Sequence, residues 1–334
     1  MSRRLAIGAA AVAAALFVLG WVITRFQPVG GPASAYQYIR VQPGQTASDV
    51  AATLKDHGII RSAWAFDVLS RYNGLATHLT AGVYRLSPHQ SLKTIMGAMR
   101  SGDVVVTRVS IPEGFTVQDI VQRLAANHIG TMAQYRQLLK TALPGMPKPQ
   151  AGVRYPMEGY LFPATYSFSY GTTARQALEI MWQTFQTRVI RGLYEKSHTR
   201  LSIGQWVTLA SIVQAEDKLG GQARNVAAVF LNRRAIGMPF QSDATVRYAL
   251  GGQVNGGLTL GDLNVPSPYN TYLHKGFPPG PICSPGLTML KAALHPAHVS
   301  YLYFLSLRSG KMLFATTYQQ HLAHIAYANS HPGT

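Results

Sequence analysis

Residues 39–54 read IRVQPGQTASDVAATL, and the same pattern returns at residues 109–124 as VSIPEGFTVQDIVQRL. In each copy, a short run rich in β-branched residues leads into a turn that contains Pro and Gly, which is typical of a strand and its end. A Thr follows the turn, and apolar residues then recur at helical spacing. A weaker copy runs from Tyr84 to Met99. We therefore predict strand–turn–helix units within a repeat region that spans residues 36–130.

These units resemble LysM-type modules, which bind polymers of N-acetylglucosamine. The resemblance implies that the repeats hold glycan. The same pattern would also suit a packing scaffold, and the residues leave both interpretations open.

The N-terminus carries a long uncharged stretch. Residues 5–24 are almost entirely apolar, and at 1.5 Å per residue they match the hydrocarbon core of a bilayer. The small-residue triplet at 33–35 has the form of a signal-peptidase site but lies well beyond this run, so an uncleaved anchor is favoured. Arg3 and Arg4 predict that residues 1–4 stay in the cytoplasm. We expect one membrane span at 5–24 and a Gly- and Pro-rich linker at 25–35.

Composition narrows the class of protein. The chain has a formal net charge of +17 and a single cysteine, Cys283, which excludes a scaffold of internal disulfides. The positive charge favours a polyanionic surface such as anionic lipid or an acidic wall polymer, and ordinary solubility charge is the alternative. Nucleic acid is disfavoured because the basic residues are scattered and the chain is predicted to be exported.

Glu216 is the carboxylate that the sequence singles out. It ends the apolar stretch TLASIVQAED at 208–217, in a chain with only 13 acidic residues. At helical spacing it shares a face with apolar residues such as Leu209 and Ile212. A carboxyl group on such a face loses hydration, which raises its pKa and suits a general acid. A solvated helix-end Glu, or one paired with Arg, is the alternative.

The remainder, residues 131–334, is predicted to be mostly helical with one β-rich flank. We expect a long helix at about 173–196 and another at 222–235. A Gly-, Pro-, Asn- and Tyr-rich stretch with little regular structure follows at 237–286. Such long irregular segments usually carry function. A hairpin around Ser309-Gly310 and a helix at 317–329 complete the chain.

Eight blocks, in this order, carry a resemblance to a known family: PEGFTV (112–117), EGYLFPATY (158–166), ASIVQAED (210–217), VFLNRR (229–234), GMPFQSDATVRY (237–248), PSPYNTY (266–272), GFPPGPI (276–282) and ALHPA (293–297). They resemble the endolytic murein transglycosylases, also called the YceG-like family. The resemblance implies an α+β protein, with LysM-like βα repeats followed by a mostly helical catalytic region with a lysozyme-like site. It implies an enzyme of the cell inner membrane, with its catalytic domain in the periplasm, that acts on peptidoglycan glycan strands without a cofactor. Association with peptidoglycan synthases of the elongation or division machinery is also implied.

By this resemblance Glu216 is the catalytic residue. Gln214 stands where the family usually has Glu, which leaves Glu216 as the only Glu in its segment. Asp217 stands where the wider group of lytic transglycosylases has Ser or Thr. On a helix Asp217 points about 100° away from Glu216, so we expect it to be a helix-end charge or a hydrogen-bond partner.

A lytic transglycosylase needs one carboxyl group, whereas most hydrolytic glycosidases need two. The acid protonates the oxygen between N-acetylmuramic acid and N-acetylglucosamine, and then takes the proton from the muramyl C6 hydroxyl. The strand is cut without water and ends in a 1,6-anhydro ring, which would limit strand length. Two alternatives stay open. One is a hydrolytic muramidase that uses Asp243 as its second carboxylate, and the other is a peptidoglycan-binding protein without activity.

Sugar contacts are expected from side chains that stack on rings or bond hydroxyl groups. The candidates are Glu158, Tyr160, Gln241, Asp243, Tyr269, Asn270 and Tyr272. Asn270 could instead hold its own loop, Tyr160 could belong to the core, and Glu158 could pair with an Arg. His321 and His324 lie one helical turn apart without further ligands, so we predict no metal.

Overall fold

The structure is a computed structural model that describes residues 2–31, 35–75, 78–217, 221–252 and 256–331, without the side chains of residues 2–6 and 9–11. The chain divides into two compact units. Unit 1 comprises Met1–Thr107 with Ser167–Gly171, and unit 2 comprises Arg108–Tyr166 with Thr172–Thr334. The division lies between residues 107 and 108, just before the third copy of the repeat at 109–124.

The N-terminal helix α1 runs from Ser2 to Arg25 and includes the predicted anchor. Among the described residues, no helix meets both the length and the hydrophobicity that a membrane span requires. The anchor at 5–24 stays a prediction from sequence. Residues 33 and 34 of the small-residue triplet lie outside the described residues.

Unit 1 contains a βααβ arrangement followed by a further helix: β1 (Gln37–Val41), α2 (Ala47–Asp56), α3 (Ala63–Tyr72), β2 (Gly82–Leu86) and α4 (Leu92–Ser101). Strands β1 and β2 pair in antiparallel fashion with Ile39 opposite Tyr84. Both residues are fully buried, in a core to which α2, α3 and α4 contribute Leu54, Phe66 and Ile95. The two strands alone would be marginally stable, so the helices that cover one face are what stabilise them.

The predicted strand–turn–helix units are confirmed in all three copies. They form β1–α2, β2–α4 and β3–α5, where β3 is Val106–Ser110 and α5 is Val117–Ala126. Thr46, Ser91 and Thr116 cap the three helices by accepting a hydrogen bond from the third backbone N–H. Gly44 and Gly114 adopt φ of +83° and +81° in their turns, a region that glycine enters without strain. The LysM likeness and its glycan role stay predictions.

Unit 2 is mostly helical. After α5, its elements are α6 (Met132–Leu138), β4 (Thr165–Ser169, whose last three residues belong to unit 1), α7 (Ala174–Phe185), α8 (Ile203–Glu216), α9 (Ala223–Ala235), α10 (Asp243–Ala249), α11 (Leu287–Leu294), β5 (Tyr303–Ser306), β6 (Met312–Ala315) and α12 (Tyr318–Ser330). Strand β3 pairs with β4, and β5 pairs with β6 in the predicted hairpin. Within the described residues the sheets are all two-stranded, which confirms the α+β class. The lysozyme-like description of this unit stays a prediction.

Helix α8 lies at the centre of unit 2. Every residue from Trp206 to Gln214 is buried, so the helix is enclosed on all sides and does not present only one apolar face. Helices α9 and α11 pack against it. The indole N–H of Trp206 donates to the carbonyl of Leu290 in α11 at 2.9 Å, which satisfies the one polar group of a fully buried ring. Trp206 lies in the first turn of α8, so this bond fixes the end of the helix opposite to Glu216.

Two predictions about regular structure were incomplete. The helix expected at 173–196 is α-helical only to Phe185 and then widens into a π-helical turn at Gln186–Arg191. The stretch at 237–286 contains the short helix α10, which its Gly- and Pro-rich flanks concealed. Ser242 occupies the N-cap position of α10, yet its side chain makes no capping hydrogen bond.

Candidate active site

Glu216 is the last residue of α8 and is partly buried. The hydroxyl group of Ser242 donates a hydrogen bond to its Oε1 atom at 2.6 Å. Ser242 itself is 2% exposed. The serine therefore holds the glutamate carboxyl group in one orientation at the place where α8 ends.

The pKa of Glu216 is raised above its ordinary value, chiefly because burial removes water from the charged form. The negative charge of Asp243 raises this pKa further. The hydrogen bonds from Ser242 and from the N–H of Ala244 act in the opposite direction, as does the positive charge of Arg233. Burial outweighs these opposing effects, and the group retains its proton to a higher pH than an exposed Glu.

Arg233 of α9 is a buried cation close to this carboxyl group. Its guanidinium group donates to the carbonyl oxygen of Phe240 and, at 2.6 Å, to that of Leu302. Burial lowers the pKa of Arg233, and the charge of Glu216 raises it. Because Phe240 lies two residues before Ser242, Arg233 also fixes the segment that supplies the serine hydroxyl. Arg233 was not among the predicted site residues.

Thr271 fixes the same segment from the other side. Its carbonyl oxygen accepts from the N–H of Gln241 at 3.0 Å, and its hydroxyl oxygen accepts from the N–H of Ser242 at 3.1 Å. Gln241 adopts φ of +49°, a strained conformation for a residue with a side chain, and its side chain is exposed. These bonds join the predicted blocks at 237–248 and 266–272. Ser242 and Thr271 both lie inside those blocks, which is the one sequence signal that could have found them.

Asp243 and Tyr272 form a second polar pair beside the serine. The phenol hydroxyl of Tyr272 donates to Oδ1 of Asp243 at 2.6 Å. Asp243 is exposed and Tyr272 is partly buried. Burial and the hydrogen bond with Asp243 raise the pKa of Tyr272, so the phenol stays protonated and remains a donor. The structure thus brings Gln241, Asp243 and Tyr272 together around Ser242.

Tyr269 and Asn270, two of the predicted sugar contacts, are both buried. Asn270 is fully buried, and its amide donates to the carbonyls of Leu263 and Val265 while its oxygen accepts from the N–H of Tyr272. The alternative interpretation, that Asn270 holds its own loop, describes these contacts. Tyr269 is buried against Tyr248 with ring centroids 4.8 Å apart.

Glu158 and Tyr160 are also internal. Glu158 is 1% exposed and accepts from the N–H of Val117 at 2.9 Å and from the hydroxyl of Tyr248 at 3.0 Å. Neither of these two donors is an Arg. Burial raises the pKa of Glu158 to about 8 despite these two donors. Tyr160 packs edge-on against Trp182 and Phe185, as the core interpretation expected.

The two polar neighbours of Glu216 in sequence have structural partners. Gln214 is buried and accepts from the N–H of Gly286 at 2.8 Å, next to the start of α11. Asp217 accepts from the N–H of Gln222 at 2.7 Å, as a hydrogen-bond partner at a helix end should. Of these three side chains, only that of Glu216 is joined to Ser242.

His321 and His324 both lie on α12. His321 stacks on Tyr303 with ring centroids 5.3 Å apart. In the parts of the chain that the structure describes, no group of three or more His, Cys, Asp or Glu side chains is arranged to hold a metal ion.

Comparison with known proteins agrees with this architecture. An endolytic murein transglycosylase of Bacillus subtilis (strain 168) is 30% identical over 309 residues, which cover 88% of this chain and 85% of that protein. Proteins of the same name from two Streptococcus pneumoniae strains are 26% identical, and the chain spans 61% of their length. A crystal structure of a yceG-like protein from Listeria monocytogenes matches with a TM-score of 0.57 at 31% identity, covering 86% of this chain and 98% of that one. A family profile matches residues 39–327, and this chain accordingly belongs to the YceG-like family.

Proposed function

We propose that this chain is a lytic transglycosylase that cuts the bond between N-acetylmuramic acid and N-acetylglucosamine within peptidoglycan strands. The observation that carries the proposal is the carboxyl group of Glu216, which is partly buried, has a raised pKa and is held by Ser242. The names of the relatives supply the substrate class.

In the first step Glu216 acts as general acid. Because Ser242 donates to Oε1, we assign the proton of the acid form to Oε2, from which it passes to the glycosidic oxygen. Transfer of that proton to the bridging oxygen breaks the bond to the muramyl C1 atom and releases the N-acetylglucosamine end. The raised pKa lets the group keep its proton to a higher pH than an exposed Glu would, until the sugar accepts it.

In the second step the same group acts as base. The Glu216 carboxylate removes the proton of the muramyl C6 hydroxyl, and the C6 oxygen forms a bond to C1. This closes the 1,6-anhydro ring and returns the proton to Glu216, so no water is consumed. The Ser242 hydrogen bond and the charge of Arg233 both stabilise the carboxylate that exists between the steps.

Gln241, Asp243 and Tyr272 are the predicted sugar-contacting residues whose side chains are at least partly exposed near Glu216. We assign them to substrate binding, and assign Glu158, Tyr160, Tyr269 and Asn270 to support of the surrounding loops. Anchoring in the inner membrane by residues 5–24, control of strand length and contact with peptidoglycan synthases complete the proposal. These three points rest on the sequence and the family resemblance.

A hydrolytic muramidase is the second candidate function, and one observation favours it. Asp243 lies close enough to Glu216 for its charge to raise the pKa of that group, so a second carboxylate is present near the acid. In this reaction Asp243 would activate a water molecule or stabilise the sugar cation. Its hydrogen bond from Tyr272 favours instead a role in positioning.

Mass spectrometry of the products distinguishes the two reactions. Residues 26–334 would be incubated with purified uncrosslinked glycan strands, beside the Glu216→Gln variant. Internal fragments with anhydromuramyl ends, absent from the variant reaction, are the expected result. Fragments heavier by one water, about 18 Da, would show hydrolysis and overturn the proposal.

A further inference from the structure

A basic groove lies in unit 2 between the first turn of α9 and the last turn of α11. Its volume is about 880 Å³, and its charged or titratable lining residues are Arg224, Lys291, His295 and His298. No acidic side chain lines it among the residues that the structure describes. A second cavity of about 590 Å³ shares the residues Ala297 and His298 and continues the groove along α9.

The two permanent cations of the groove lack carboxylate partners. Arg224 and Lys291 are exposed, and neither has an acidic group within salt-bridge distance in the described parts of the chain. The Nε atom of Arg224 donates to the carbonyl of His295 at 2.8 Å, and the carbonyl of Arg224 accepts from the N–H of Ala297. These bonds orient the guanidinium group over the groove, so less entropy is lost when it binds a ligand.

The groove begins close to the acid. Gln222 lines it, and the N–H of Gln222 lies 2.7 Å from the carboxylate of Asp217, the residue that follows Glu216. The N-cap position of α9 has no side-chain capping bond, and its first turn has no acidic residue. The carboxylate of Asp217 lies at the positive end of α9, so the positive charge of the groove comes from Arg224 and Lys291.

The sugars of the proposed substrate carry no charge at their hydroxyl and N-acetyl groups. Its anionic groups are the carboxylates of the short peptide attached to the lactyl group of each muramyl residue. A peptide of three to five residues, when extended, reaches about 10–18 Å, enough to pass from a muramyl unit at Glu216 into a groove that starts at Gln222. Arg and Lys are the side chains that bind such carboxylates best.

We propose that this groove binds the carboxylates of the muramyl-linked peptide, so that the enzyme recognises peptide-bearing strands. The inference rests on the proposed function, because it assumes that a muramyl residue lies beside Glu216. Arg224 and Lys291 bind the carboxylates, and His295 and His298 line the sides of the groove.

The test is a binding measurement that involves no cleavage. In the Glu216→Gln background, N-acetylmuramyl-L-alanyl-D-glutamate is titrated by NMR, beside the same probe with both peptide carboxylates amidated and beside glycerol phosphate. The double variant Arg224→Gln/Lys291→Gln is compared with Arg136→Gln/Lys140→Gln, which removes the same charges from exposed positions on and beside α6. Lys291→Gln alone serves if the double variant does not fold.

We expect the groove variant to bind the acidic probe roughly tenfold more weakly and the control variant to bind it unchanged, since a specific charge contact is lost only in the first. The amidated probe should bind all proteins as weakly as the groove variant binds the acidic one. The inference would be overturned if the acidic and amidated probes bound equally well, or if both double variants weakened binding equally. Binding of glycerol phosphate that is tighter than binding of the acidic probe would also overturn it. Cleavage of strands by the wild type is scored separately, so failure of the proposed function is recognised independently.

Discussion

Ser242 occupies the N-cap position of α10, but its hydroxyl group donates to Oε1 of Glu216 at 2.6 Å and does not cap the helix. A Ser at an N-cap ordinarily accepts a hydrogen bond from the helix that it begins. Here that local stabilisation is replaced by a bond to a residue 26 positions earlier in the chain. The exchange makes the start of α10 part of the candidate active site.

The first prediction concerns Ser242→Ala. The lost hydrogen bond lowers the pKa of Glu216 in the native protein, so its removal should raise that pKa. At high pH, kcat falls because Glu216 loses its proton. In the variant this fall should therefore occur at a higher pH than in the wild type. At the optimal pH, the variant's kcat should be lower than that of the wild type by roughly tenfold or more, which is the effect expected from the loss of one charge-assisted hydrogen bond.

The measurement is the pH dependence of kcat on uncrosslinked strands, with the exposed Ser300→Ala as control. An unchanged profile in Ser242→Ala would show that the serine does not act on the carboxyl group during the reaction.

The second prediction concerns stability and Glu158. Its pKa is raised from 4.5 to about 8 in the folded protein, so between these values the folded state binds a proton that the unfolded state has lost. This contribution to the free energy of unfolding is fully present below pH 4.5 and disappears as the pH rises through about 8. Glu158→Gln, which cannot ionise, should lose less stability between pH 5 and about 8 than the wild type.

Urea unfolding at a series of pH values measures this difference. The exposed Glu195→Gln should retain the wild-type dependence. If the free energy of unfolding changed with pH in the same way for the wild type and for Glu158→Gln, the assignment of Glu158 as a buried group that stays protonated would be contradicted.

The third prediction concerns Asn270. If it holds its loop, Asn270→Ala leaves the carbonyls of Leu263 and Val265 without their donor and should reduce the free energy of unfolding by about 1–3 kcal/mol. Tyr272→Phe, which removes only an exposed hydrogen bond to Asp243, should change stability little and raise KM. Thermal unfolding and steady-state kinetics of both variants separate the two roles. A stable Asn270→Ala variant with a raised KM would favour direct contact with the sugar.

The fourth prediction concerns the packing of α8. Trp206→Ala removes a fully buried ring and its hydrogen bond to Leu290, and should destabilise unit 2 by about 3–5 kcal/mol. Trp206→Phe fills most of the volume and should reduce the free energy of unfolding by a smaller amount. Chemical denaturation compares the two, and equal stability of both variants would show that α8 is not the centre of this core.

The sequence predicted those features that depend on neighbouring residues. The strand–turn–helix units follow from Thr46, Ser91 and Thr116 with the glycine turns before them, and such caps act within four residues of the chain. The β5–β6 hairpin followed from a Ser-Gly turn between apolar runs. Glu216 was found because it ends an apolar helix.

Long-range partners could not be predicted in the same way. The roles of Ser242 and Arg233 depend on a fold that joins α8, α9 and the start of α10. Apart from their place in the blocks at 229–234 and 237–248, nothing in their local sequence distinguishes them from an ordinary cap and a surface cation. Asn270 was predicted as a sugar contact because its segment resembles lytic transglycosylase clefts, but its loop folds inward around its amide. Side-chain direction in a loop without periodicity is set by tertiary contacts that the sequence alone does not display.

The central claim is that Glu216 alone cleaves the strand and that no water enters the product. The direct measurement is digestion of uncrosslinked strands in water enriched with heavy oxygen, for the wild type, Glu216→Gln and Asp243→Asn. The account predicts anhydromuramyl ends without heavy oxygen from the wild type, no cleavage by Glu216→Gln, and the same unlabelled ends at a reduced rate from Asp243→Asn. Heavy oxygen in the new muramyl ends of the wild-type products, lost together with activity in Asp243→Asn, would contradict it and establish a hydrolase with two carboxylates.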